Sequence, residues 1–245
     1  MKHLLGSALL LLAPFVALAP LSVSAQTYPT KPVRLIVPFP PGGATDALAR
    51  LMGDKLGERW KQPVIIDNKP GGNTMIGTDV VAKSAPDGYT LGIVTGSHVI
   101  NPLLSSKMPY DTLADMTGVM ALTRFHMALY ANPSFPASTP AELLALAKKG
   151  EVAYASATTQ SYLGMELLAS MGGVKMQYVP YKGSAQAATD LIGGHVQLMV
   201  DPVLPTTLEY VKTGKMKLIG TLGAKPSELT PGVPTFTGVV PGYEF

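Results

Sequence analysis

The chain has 245 residues, 14% charged and 47% hydrophobic; that length suits one large domain or two small ones, and that balance excludes a disordered chain. Lys plus Arg (19) exceeds Asp plus Glu (16), for a formal charge of +3, but no Lys/Arg run occurs, so the excess implies no nucleic-acid partner. Cysteine is absent, which excludes disulfides, thiolate zinc sites, thiol catalysis and lipidation at a lipoprotein cysteine, while Gly (25) and Pro (22) point to many turns.

At the N-terminus, Lys2 and His3 precede the apolar runs Leu4-Leu5 and Leu9-Leu10-Leu11-Leu12, and Val23-Ser24-Ala25 supplies small residues for cleavage. This is the pattern of a secretory signal over residues 1–25. A transmembrane anchor is the competing reading, but Pro14 and Pro20 interrupt a stretch already short for a span of about 20 residues. Without residues 1–25 the chain has 18 basic and 16 acidic side chains, a charge of +2. A nearly neutral, cysteine-free exported protein fits a bacterial periplasm.

From residue 33, short β-branched runs alternate with helical patterns. Val33-Arg34-Leu35-Ile36-Val37 reads as a buried strand leading into Pro38-Phe39-Pro40-Pro41-Gly42-Gly43. The next helix places Leu48, Leu51, Met52 and Leu56 on one face, the expected core side, and Asp46, Arg50 and Asp54 on the other. Val64-Ile65-Ile66 is a second strand, Asn68-Lys69-Pro70-Gly71-Gly72-Asn73 a loop, and Thr74 a cap for a helix containing Val80 and Val81. Pro86-Asp87-Gly88 turns into strand Thr90-Leu91-Gly92-Ile93-Val94, and strand starts near 33, 63 and 90 have the spacing of βαβ units.

The same grammar continues with strands at 127–130, 152–155, 176–179, 197–200 and 217–221. Thr139-Pro140-Ala141-Glu142 is a capping box, Gly150 closes that helix, and further helices begin near Ser161 and Ser184. The predicted class is α/β with mainly parallel sheets flanked by helices. Turn-rich sequence between Thr95 and Met120, and a second crossing near 200–217, divide the chain into two lobes. Residues 26–100 form the first part of lobe 1, 101–210 form lobe 2, and 211–245 return to lobe 1. Ligands in such sheets bind outside the carboxyl ends of strands, here the loops 38–45, 67–74, 95–101, 156–162, 180–184 and 201–206.

Enzyme motifs fail: no G-x-S-x-G, P-loop, G-x-G-x-x-G or H-E-x-x-H occurs. His98, His126 and His195 are too scattered for a metal motif. His98 follows a strand end and can contact a ligand or act as a base, whereas His126 and His195 read as ordinary turn and loop residues. Anion binding has the stronger logic. Segment 38–46 joins a buried strand to a helix, whose first N–H groups are unpaired and partly positive. Prolines stiffen the loop, so the N–H groups of Gly42, Gly43 and Ala44 are expected to point at a carboxylate. An ordinary turn capped by Thr45 or Asp46 uses the same residues.

Ser156-Ala157-Thr158-Thr159-Gln160-Ser161 offers four hydroxyls and an amide at another helix start, equally suited to plain capping, and Thr95-Gly96-Ser97-His98 resembles it. Asp201 ends a strand before Pro202 and either faces the cleft to receive a ligand donor or is a turn aspartate. Lys182 is a cleft cation or a solvated lysine, and Tyr181 reads as packing.

Together these residues look familiar. Tyr28-Pro29-Thr30-Lys31-Pro32-Val33-Arg34-Leu35-Ile36-Val37-Pro38-Phe39-Pro40-Pro41-Gly42-Gly43 strongly resembles the opening of the Bug family, the TctC-type periplasmic solute receptors of tripartite tricarboxylate transporters. The resemblance continues through Asp67 to Asn73, Ala85 to Leu91, Val179 to Ser184 and Asp190 to Gly194, and spans residues 28 to 244. It implies a two-lobed periplasmic binding protein of the Venus flytrap, type II-like kind, closing on a small organic carboxylate. No metal or cofactor is needed. The proximal carboxylate then maps to Phe39, Pro41, Gly42, Gly43, Ala44 and Thr45, and the far wall to Ser156, Thr158, Thr159 and Ser161, with Ser97, His98 and Asp201 as further contacts. Where the family reads Gly-rich, this chain has Ala157-Thr158-Thr159-Gln160, which implies altered specificity.

The expected protein is a non-catalytic monomer that delivers its ligand to integral-membrane transporter subunits or to a sensor protein. A periplasmic hydrolase, for example with Ser97 and His98, or a ligand-sensing module on the same fold are the alternatives. The family normally continues beyond Pro241-Gly242-Tyr243-Glu244 with a strand and helices, so a fragment or truncated product of low stability is expected, with apolar sheet surface exposed in lobe 1.

Overall fold

A computed structural model describes residues 28–150 and 152–245, so the expected signal segment lies outside the described residues. The first sheet has β1 (Val33–Val37) between β2 (Val64–Asn68) and β3 (Thr90–Gly92), all parallel, with Val37 opposite Asn68. As the central strand, β1 buries Val33, Leu35, Ile36 and Val37, the near-continuous apolar run that a doubly covered parallel strand requires. α1 (Ala44–Trp60) and α2 (Met75–Ala82) connect these strands.

The packing of α1 reverses the expected one. Its buried side is Asp46, Ala49 and Gly53, and a Cβ on Gly53 would lie 3.0 Å from Ile66 Cδ1. Small residues let the helix lie close against the sheet. Leu48, Met52 and Leu56 are half-buried along a groove beside it, and Leu51 is exposed. Periodicity locates an amphipathic helix, but it does not say that the smallest residues make the tightest contact.

α3 (Gly96–Leu104) leads out of the first sheet, and residues 105–126 carry no helix or strand. The second sheet contains β4 (Met127–Ala131), β5 (Val152–Ser156), β6 (Met176–Pro180), β7 (Leu198–Pro202) and β8 (Lys217–Thr221), in the order β6-β5-β7-β4-β8. β6, β5 and β7 are parallel, and β4 runs antiparallel to both β7 and β8. The helices here are α4 (Pro140–Ala147), α5 (Thr159–Gly172), α6 (Ser184–Ile192) and α7 (Pro205–Lys212). Pro140 opens α4 and Thr139 Oγ1 accepts from the Glu142 N–H at 3.3 Å, as the capping signature predicts.

One expectation is overturned. The sequence pattern returns residues 211–245 to the first lobe, but β8 pairs with β4, with Ala128 opposite Thr221. Ile219, Leu222, Phe236, Val240 and Tyr243 join Leu129, Leu143, Met165 and Leu168 in the core beneath the second sheet. The Thr221 N–H donates to Pro234 O at 3.0 Å and holds the tail there. The pattern of Lys217–Thr221 encodes a strand and its burial, not which edge receives it. Among the described residues, no helix is long and apolar enough to cross a membrane.

Candidate ligand-binding site

Strand carboxyl ends from both sheets meet at one cleft, and the helices that follow four of these strands begin in its wall. α1 starts after Gly43, α3 after Thr95, α5 after Thr158 and α6 after Gly183. The starts of α1, α3 and α6 have no side-chain cap, so their first N–H groups are left for a ligand or water. Four positive helix ends aimed at one volume favour an anion. The charged residues of the wall are few: Asp115 and Arg124, both exposed, and Asp201, which is buried. The walls touch across the opening, where a Cβ on Gly183 would lie 3.2 Å from Pro40 and one on Gly42 3.8 Å from Ala185 Cβ.

Phe39, Pro41, Gly43, Ala44 and Thr45 line the cleft, and Gly42 does not. Its φ is +88°, a conformation glycine adopts without strain, and its N–H donates to Asp46 Oδ2 at 2.9 Å. Asp46, placed by periodicity on the solvent face, is only 3% exposed. Arg50 donates to both its oxygens, at 2.9 and 3.0 Å, and Asn68 donates to Oδ1 at 2.9 Å. Burial works to raise the Asp46 carboxyl, but these hydrogen bonds and the Arg50 charge outweigh it and hold it below the usual carboxylate range. The Gly42 donor is therefore spent inside the protein, and Gly43, Ala44 and Thr45 face the cleft.

On the other wall, the hydroxyls mostly satisfy one another. Ser156 Oγ lies 2.6 Å from Ser161 Oγ, which lies 2.7 Å from Thr158 Oγ1, and the Ser161 N–H donates to Thr158 Oγ1 at 3.1 Å. Thr158 and Ser161 line the cleft; Ser156 and Thr159 do not. Thr159 instead joins a clasp between the two sheets. Asn73 donates to Thr159 Oγ1 and, at 2.6 Å, to Asn101 Oδ1, while Asn101 donates to Asn73 O at 2.8 Å. Loop 67–74 thus serves closure and not the cleft wall. We expect Asn73→Ala to weaken ligand affinity about fivefold with little change in the melt of the free protein, since the one interlobe hydrogen bond it makes, to Thr159, favours the closed form by about 1 kcal/mol; calorimetric titration of both proteins measures this.

Asp201 lies in the cleft at the end of β7, 5% exposed, accepting from Ser184 Oγ at 2.5 Å. Burial pushes its carboxyl up to about 7, against the Ser184 hydrogen bond, which works to lower it. His98 lines the cleft, with Nε2 3.2 Å from Thr112 O and its ring stacked on Tyr110 at 5.9 Å. Ser97 is fully buried behind the wall, and its Oγ has no hydrogen-bond partner among the described residues, so His98 does not engage it. Lys182 is exposed and outside the wall, and Tyr181 packs in the core with its hydroxyl donating to Asp190 Oδ2 at 2.7 Å. Gln160, the amide of the 156–161 segment, has its side chain packed where a Gly96 Cβ would stand and lines the wall, as does Ser184, which the sequence offered only as a helix start. Their signal was positional: each lies in the first turn of a helix that follows a strand.

Residues 48–244 match the family described as the tripartite tricarboxylate transporter family receptor, TctC. BugT of Bordetella pertussis is 37% identical over 229 residues, covering 90% of this chain and 70% of that protein. Among solved structures, R. palustris Rpa4515 with adipate is 36% identical with a TM-score of 0.84, over 89% of this chain and 75% of that one. MatC (Rpa3494) from Rhodopseudomonas palustris with bound malate is 29% identical with a TM-score of 0.80, over 89% and 76%.

Proposed function

This chain belongs to the TctC family of tripartite tricarboxylate transporter receptors, and we propose that it captures a small organic carboxylate between its two sheets without transforming it. The observation that carries this reading is the set of helix starts of α1, α3, α5 and α6, three of them uncapped, at one cleft whose lining, among the described residues, includes no lysine and one arginine, the exposed Arg124. Backbone N–H groups then do the work of a cation, and no metal or cofactor enters. The N–H groups of Gly43, Ala44 and Thr45 receive one carboxylate, and Thr158, Gln160 and Ser161 stand across from it. The adipate and malate of two similar structures support this ligand class.

The lack of a Ser97–His98 hydrogen bond disfavours the hydrolase alternative, because a serine nucleophile needs a base in contact. Residues 28–104 and 127–245 form the two lobes, and 105–126 is the hinge segment. Ligand bridges the lobes and shifts the equilibrium toward the closed form, and this monomeric form is what transporter membrane subunits meet in the periplasm after removal of residues 1–25. A thermal-shift screen against organic acids, sugars and amines tests the reading. We expect adipate, malate or a related acid to raise the melting temperature by several degrees; shifts with sugars or amines and none with acids would sink it.

A further inference from the structure

Asp46 poses a problem for the site just described. A carboxylate placed in the first turn of α1 stabilises the helix, but here it also stands next to the N–H groups assigned to an anionic ligand. Uncancelled, its charge would oppose binding. The structure resolves this with Arg50, one helical turn on, which donates to both Asp46 oxygens while its own side chain stays half exposed. Asn68, at the end of β2, completes the set: it donates to Asp46 Oδ1 and, at 2.9 Å, to Phe39 O.

We propose that Asp46, Arg50 and Asn68 form the positioning unit of the binding loop, with Asp46 and Asn68 fixing its backbone and Arg50 cancelling the charge that would repel the ligand. Asp46 holds Gly42 in its left-handed conformation through the 2.9 Å bond to its N–H. Asn68 restrains Phe39, three residues earlier, through its carbonyl. Both anchors are needed because the prolines between them, Pro40 and Pro41, have no N–H to tie the loop down. The unit touches no ligand. It acts by fixing the direction of the Gly43, Ala44 and Thr45 N–H groups, and so rests on the carboxylate reading above.

The test uses the full chain, with adipate and malate as probes, titrated at about pH 8, where an ordinary carboxyl is ionised. Arg50→Met leaves the Asp46 charge uncancelled. Its affinity is expected to fall about tenfold at low ionic strength and to recover as salt screens the repulsion. The double variant Asp46→Asn, Arg50→Met removes both charges, so its salt dependence returns to that of the wild type, and Arg50→Lys stays near the wild type throughout. A purely structural loss shifts all these salt curves in parallel and would overturn the charge-cancelling role. A second measurement needs no ligand: the Gly42 amide proton exchanges at least about tenfold faster in Asp46→Ala than in the wild type. Unchanged exchange would overturn the anchoring role. A wild type that binds neither acid, yet keeps Gly42 protected, would refute the carboxylate reading while leaving the anchor standing.

Discussion

Asp201→Asn is expected to raise the melting temperature by roughly 4–8 °C at about pH 8 and to leave it unchanged at about pH 4. The folded carboxyl titrates at about 7 against an ordinary value of 3.8. Below about pH 4 it is protonated in both folded and unfolded chains and costs nothing. As pH rises toward 7 the unfolded chain gives up its proton while the folded one keeps it, so stability is lost across that window and the full loss holds above it. A shift of about three pH units corresponds to about 4 kcal/mol. Opening the cleft hydrates the group without unfolding, so about half of this, ~2 kcal/mol, is expected in the melt, at roughly 2–4 °C per kcal/mol for a chain of this size. The same titration acts on the ligand. Adipate should bind about tenfold more weakly at about pH 8 than at about pH 6, because the ionised Asp201 repels it, and the asparagine variant should lose most of this difference. A melting difference equal at both pH values would contradict the assignment.

Gly77→Ala is expected to destabilise the protein by about 2 kcal/mol, although alanine is the better helix former by up to about 1 kcal/mol. Gly77 is buried in α2, and a Cβ there would stand 2.8 Å from Lys69 O, 2.9 Å from Pro38 Cβ and 3.0 Å from Pro38 Cα. These obstacles are backbone and ring atoms that no rotamer change moves. Pro38 starts the binding loop, so adipate affinity should fall with the melting temperature. Gly57→Ala is the matched control. The nearest atom to its Cβ is Gln62 O at 3.5 Å, an ordinary contact, so this change in α1 should stabilise by about 0.5–1 kcal/mol and leave binding alone. Thermal melts and titrations of the two variants separate these outcomes, and a stabilised Gly77→Ala would show that α2 can move off Pro38.

The α/β class, most strand positions and the loops that meet at the cleft were legible because each rests on a local signal. β1 is a continuous apolar run, Gly42 and Gly43 mark a turn into a helix, and Thr139-Pro140 marks a helix start. What was not legible depends on which partner each side chain meets in three dimensions, whether near or far in sequence. Asp46 looked solvent-facing because its partners, Arg50 apart, are the backbone of Gly42 and the side chain of Asn68, 22 residues away. The hydroxyls at 156–161 looked available because sequence does not show that Ser156, Thr158 and Ser161 bond to one another. Ser97 sits beside His98 in sequence, yet one side chain is buried behind the wall and the other lines it. β8 was assigned to the wrong sheet for the same reason: edge choice is decided by the core that Phe236 and Tyr243 complete.

Residues 105–126 are the one passage between the two sheets in the described chain, so each sheet is built from an uninterrupted stretch of sequence. Within these residues, closing the cleft brings together two consecutive stretches of chain, and the length of the passage between them enters the effective concentration at which the two walls meet.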